Sequence, residues 1–208
     1  MNRVVLICLI SVFTFSNIFG QNKNKQPKTK ISVLFIGNSL TYANNLPKLV
    51  ANNAKKYGVK MEVKMIAFPN YAIMDHWNDG KIQQLIAKNK FDYIIIQQGP
   101  SSQKNGRNML IDYGKKFSVI SKLNNSKLCF FMVWPSLNYY HTFDGVIKNY
   151  TDAARITNSI LIPVGKIWKD YFNQTQDHSY YGADGFHPSL KGSKAAAQVI
   201  INYLLKKL

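Results

Sequence analysis

Apolar positions along this 208-residue chain fall into two patterns that alternate over most of its length. Short continuous runs rich in Val, Ile, Phe and Met occupy 31–36, 60–66, 91–97, 127–133 and 159–164, with the length and composition of buried strands. Between them apolar residues recur at helical spacing: Leu46, Leu49, Val50, Ala54 and Tyr57, then Ile82, Leu85 and Ile86. The stretches 109–123 and 143–156 are longer and less regular helical candidates. At the end of the chain Ala196, Val199, Ile200, Tyr203 and Leu204 share one helix face, and Ser189 stands where an N-cap belongs.

Strands alternating with helices predict an α/β fold: a three-layer sandwich with a five-stranded parallel sheet covered on both faces. Right-handed crossovers bring the C-terminal ends of all strands to one edge, and ligand sites of such sheets lie outside that edge. Chemistry is therefore sought in the loops after 36, 66, 96 and 133, and before the last helix.

The ends of the chain set the boundaries of that domain. Met1-Asn2-Arg3 gives a positive start, 4–15 is an apolar run, and Gly20 offers a small residue for cleavage, so 1–20 reads as a signal peptide. The run is shorter than the roughly 20 residues a spanning helix needs, so no transmembrane anchor is expected after cleavage. Residues 21–30, "QNKNKQPKTK", are polar and basic and read as a flexible leader, leaving 31–208 as one domain. The expected location is exported, periplasmic or secreted.

Only Cys129 remains beyond the leader, so no internal disulfide can form, and its apolar neighbours mark it as a buried small hydrophobe. No Cys and His cluster has zinc spacing, and no metal or organic cofactor is expected. The net charge of +17 would suit an acidic partner such as an anionic glycan. The lysines are nevertheless scattered, without a basic motif interleaved with aromatics, and no specific nucleic acid is expected.

The five loops read "GNSLT", "AFPNYAIMDHW", "QQGPSS", "WPSLNYYH" and "YGADGFHPS". A serine hydroxyl becomes a useful nucleophile when a histidine takes its proton and a third group orients that histidine. Ser39, His187 and Asp184 can supply these roles if the topology brings their loops together. His76 and His141 are further candidates for the base, without an Asp-x-x-His context. Trp77, Trp134, Tyr139 and Tyr140 fall near the same edge and are candidate stacking walls for a sugar.

"VLFIGNSLT" near the start of the domain and "DGFHPSLKGSKAAA" near its end together resemble the SGNH hydrolase superfamily, the GDSL-like esterases and lipases. The form Gly37-Asn38-Ser39-x-Thr41 resembles a branch of exported esterases within it. The resemblance implies a flavodoxin-like sandwich, Ser39 as nucleophile, His187 as general base and Asp184 as its orienting carboxylate. The family's oxyanion glycine has no glycine counterpart after Ile66, and Asn70 is the candidate because asparagine tolerates positive φ. The family's oxyanion asparagine is replaced by "QQGPSS", where Gln97 or Gln98 offers an amide N–H on a longer arm. Strand alternation sends those two side chains to opposite faces.

The expected activity is hydrolysis of carboxylic esters, with a carbohydrate O-acetyl ester as the substrate suggested by export and loop aromatics. A lipid esterase or lysophospholipase, or an acyltransferase, would use the same triad. A degenerate hydrolase that only binds an acidic glycan is the non-enzymatic alternative.

Overall fold

The structure, a computed structural model, describes residues 29–206. The signal peptide and nearly all of the leader read from the sequence lie outside the described residues. The leader's last position, Lys30, instead opens the first strand.

Five strands form one sheet: β1 (Lys30–Gly37), β2 (Lys60–Ala67), β3 (Tyr93–Ile96), β4 (Lys127–Phe131) and β5 (Ile160–Ile162). Every pairing is parallel and the order is β2-β1-β3-β4-β5. The connection from β1 runs outward to β2, and the next crosses back over β1 to β3. Right-handed crossovers running in opposite directions place their helices on opposite faces. On one face α2 (Leu46–Lys55) packs against α8 (Leu190–Leu205); on the other, α5 (Lys104–Leu123) packs against α6 (Phe143–Ile156). The predicted three-layer α/β/α arrangement is the observed one.

Burial on both faces explains the continuous apolar runs of the inner strands. Val33, Leu34, Phe35 and Ile36 are fully buried, as are Ile94 and Ile96 beside them. Edge strand β2 keeps Lys64 and Met65 exposed. Strands β3, β4 and β5 are shorter than their apolar runs, because the residues beyond each pairing bend away as buried loop. Gln97, Met132 and Val133 are among those residues.

The remaining helices are α1 (Ser39–Tyr42), α3 (Ile73–Asn78), α4 (Lys81–Lys88) and α7 (Val164–Thr175), with 3₁₀ turns at Ala43–Asn45 and Leu137–Thr142. Helix α7 has no counterpart among the predicted helices. It buries Val164, Trp168 and Phe172 at four-residue spacing, directly after the strand run that obscured its start. Reversal of strand order between β1 and β3 opens a crevice at their C-terminal ends, the usual ligand position in this topology. Among the described residues no helix is long and apolar enough to cross a membrane.

Candidate active site

Strand β1 delivers its serine through a turn held from below. Gly37 is required there by close approach, since a Cβ would run into the side chains of Thr41 and Gln97. Asn38 then caps α1: its Oδ1 accepts from Leu40 N–H at 3.1 Å, while its Nδ2 donates to the Tyr71 carbonyl at 3.0 Å. An aspartate at 38 could make the first bond and not the second. Asparagine therefore ties the serine turn to the 68–71 loop.

The peptide unit joining Gly37 to Asn38 is fixed at both polar ends. Its N–H donates to Gln97 Oε1 at 2.9 Å, and its carbonyl accepts from Phe68 N–H at 3.2 Å and His76 Nε2 at 2.8 Å. Thr41 Oγ1 adds a second hydrogen bond to Gln97 Oε1 at 2.7 Å. Ser39, half-buried, follows as the first residue of α1.

On the opposite wall the segment before α8 folds Asp184 under His187. One carboxylate oxygen accepts from the backbone N–H groups of Phe186 and His187, both at 2.9 Å, and the other contacts His187 Nδ1 at 2.6 Å. The His187 hydrogen bond, then the Phe186 N–H, lower the Asp184 pKa, so the carboxylate stays ionised and holds a proton on Nδ1. That leaves Nε2 to accept, and Ser39 Oγ donates to it at 2.9 Å. Residues 148 positions apart are thus joined in one Asp184–His187–Ser39 chain.

This loop is stapled to the rest of the molecule. The Trp134 indole N–H donates to the Phe186 carbonyl and Asn44 Nδ2 to the Pro188 carbonyl, while Gly182 N–H closes the loop on itself through the His187 carbonyl. Gly185 takes φ +66, and its carbonyl accepts from Leu137 N–H.

Asn70 adopts φ +61, the left-handed backbone expected of it, in an exposed turn drawn against residues 37 and 38 by the Phe68 and Tyr71 contacts. Neither Asn70 N–H nor Ser39 N–H has a partner among the described residues. The glutamine expectation is corrected. Gln97 spends its oxygen on Asn38 N–H and Thr41, and that donor pair fixes the amide orientation; Nε2 lies buried without a partner among the described residues. Gln98 Nε2 turns to Ser101 Oγ at 2.7 Å and the Gly106 carbonyl at 3.2 Å. Both side chains are buried, Gln97 as a support of the serine turn and Gln98 as a support of its own 98–106 loop.

The other candidates separate cleanly. His76 is 1% exposed, bonded to a backbone carbonyl and remote from the role of base; burial lowers its pKa, against the Gly37 hydrogen bond and the Asp79 and Asp75 charges. Trp134 is fully buried and stacked on Trp168, and half-buried Trp77 packs edge-on against Phe117. Tyr140 bonds to Asn173, whereas Tyr139 is 63% exposed. Of the four proposed sugar walls, Tyr139 alone presents an open ring. Cys129 is buried and its thiol pKa is pushed up by desolvation. No cluster of three metal-ligating side chains occurs among the described residues.

A groove of about 650 Å³ runs beside the Asp184 end of this hydrogen-bonded chain. Asp184 and Phe186 form one side, and Ser102, Gln103, Asn138 and Tyr139 contribute to the rest. Among the described residues no lysine or arginine lines it.

No protein-family model and no curated protein matches the chain in sequence. Solved structures match its fold over most of its length. A protein from Slackia heliotrinireducens assigned to the SGNH hydrolases aligns with TM-score 0.73 and 21% identity, over 85% of this chain and 100% of that one. A lipase/acylhydrolase from Enterococcus faecalis gives 0.67 and 16%, over 86% and 97%. A catalytic mutant of an acetylxylan esterase from Geobacillus stearothermophilus gives 0.66 and 15%, over 86% and 95%. The fold is that of the SGNH hydrolases.

Proposed function

We propose that this chain is an exported serine esterase that cleaves carboxylic esters through Ser39, His187 and Asp184. The observation that carries the reading is the continuous hydrogen-bond chain from Asp184 through His187 to Ser39, at 2.6 and 2.9 Å. Ser39 Oγ attacks the ester carbonyl carbon while its proton passes to His187 Nε2, and Asp184 stabilises the imidazolium. The developing oxyanion faces the N–H groups of Ser39 and Asn70, whose lack of internal partners suits them to receive it. His187 returns the proton to the departing alkoxide. Water, activated by the same histidine, then releases the acid from Ser39.

For the alcohol portion we favour an uncharged sugar carrying an O-acetyl group. Among the described residues that line the groove beside Asp184 there is no lysine or arginine, which speaks against an acidic glycan at this position. Its amide and hydroxyl groups suit sugar hydroxyls, and the open ring of Tyr139 suits a sugar face. The acetylxylan esterase shares the fold at 15% identity, and its name agrees with this reading.

Turnover of nitrophenyl acetate and of a neutral acetylated xylooligosaccharide tests both parts. Wild type is expected to release acetate from each, and Ser39→Ala from neither; equal rates for the two proteins would end the esterase reading. Faster turnover of an anionic than of a neutral acetylated glycan would end the neutral-sugar reading alone.

A further inference from the structure

Histidine 76 is a buried titratable group that acyl transfer leaves without a task. It sits on α3, where the three-residue step from Ile73 turns both side chains inward. Its Nε2 reaches the Gly37 carbonyl at 2.8 Å, and because a carbonyl can only accept, the ring proton must be on Nε2. Its ring lies against Phe68, with centroids 5.8 Å apart and planes at 25°, and meets Tyr71 edge-on at 5.0 Å. Phe68 and Tyr71 flank the turn that carries Asn70. One imidazole therefore contacts the Gly37 carbonyl of the serine turn and the two aromatic side chains that flank Asn70.

We infer that His76 is a positioning residue that sets the two oxyanion donors, Ser39 N–H and Asn70 N–H, in register with each other. This rests on the esterase reading given above. The Gly37–Asn38 peptide precedes the peptide that carries Ser39 N–H, so holding its carbonyl limits rotation of the donor. The stacked ring props the Asn70 turn from beneath. Phe68 N–H already shares the Gly37 carbonyl, but it belongs to the Asn70 turn itself and cannot reference that turn to the core. His76, on a helix, can. A neutral imidazole suits the task, and burial favours that form.

Steady-state kinetics on nitrophenyl acetate test this, with Ser39→Ala giving the background. His76→Phe keeps a stacked ring and loses the donor; His76→Gln returns an amide N–H near the same place. The expected result is a fall in kcat of about tenfold or more for His76→Phe with KM within about twofold, and recovery of most of kcat in His76→Gln. If His76→Phe does not fold, Phe68→Ala at the partly exposed turn removes the ring contact. A severalfold fall in kcat at constant KM is then expected. The proposal is overturned if His76→Phe keeps wild-type kcat, if His76→Gln is as slow as His76→Phe, or if Phe68→Ala leaves kcat unchanged. Absence of any Ser39-dependent rate in the wild type would overturn the esterase reading itself, a different outcome from a Ser39-dependent rate indifferent to His76.

Discussion

The two walls of the site are built by opposite means. On the wall that carries Ser39, the Gly37–Asn38 peptide is gripped at both ends by the buried side chains of Gln97 and His76, and Asn38 bonds to the facing loop. On the facing wall, Asp184 and His187 have side chains 53% and 42% exposed, and the carboxylate is organised by two N–H groups of its own loop. The first wall is part of the core, and the second is a local turn laid on it. Damage to the first should reach stability and rate together, whereas damage to the second should reach rate alone.

The largest expected effect breaks the chain where the walls meet. Ser39→Ala and His187→Ala should each lower kcat on nitrophenyl acetate by about 10⁴-fold or more, measured above the buffer rate. Asp184→Asn should follow at about 10³-fold or more, through loss of the charge and of the Nδ1–H tautomer. Its thermal midpoint should stay within a few degrees of wild type, because the carboxylate is largely solvated. A large fall in midpoint would contradict the contrast between the walls.

On the buried side, Gln97→Leu strips the acceptor from Asn38 N–H and Thr41 Oγ. It should lower stability by about 1–3 kcal/mol in urea unfolding, with kcat down about tenfold. A rate loss without a stability loss would return Gln97 to a direct oxyanion role.

Asn70 gives a smaller effect that separates backbone from side chain. At φ +61 a glycine fits and a β-branched residue does not, so Asn70→Val should have kcat about tenfold below Asn70→Gly. Equal rates would remove the Asn70 N–H from the site.

The smallest effect concerns pH. The His76 pKa is lowered in the fold from its ordinary 6.5. As pH falls below that value the unfolded chain takes up the proton first, so the fold loses stability until the buried ring also titrates. Asp75 and Asp79 oppose the shift without cancelling it. Wild type should therefore lose more thermal midpoint than His76→Gln between pH 7.5 and 5. A parallel loss in both would exclude His76 as the source.

The framework was legible in the sequence because parallel strands buried on both faces need continuous apolar runs, and their alternation with helices left few topologies. Topology in turn put Ser39 and His187 on one edge. Helix α7 escaped because its apolar positions continue from the β5 run, so no polar break marks the change of period. Gln97 was assigned a donor role because an amide carries both donor and acceptor. Which end is used depends on Asn38 N–H, a partner 59 residues away. Burial of His76 was equally hidden, since "MDHW" reads as a polar loop until α3 turns it inward. The left-handed backbone of Asn70 was legible, because tolerance of positive φ is a local property that sequence does carry.

Labelling with a fluorophosphonate, followed by intact mass and peptide mapping, tests the central claim most directly. The account predicts one adduct per chain, on Ser39, formed more slowly in Asp184→Asn and absent from Ser39→Ala. An adduct on another residue, or equal labelling of wild type and Ser39→Ala, would contradict it.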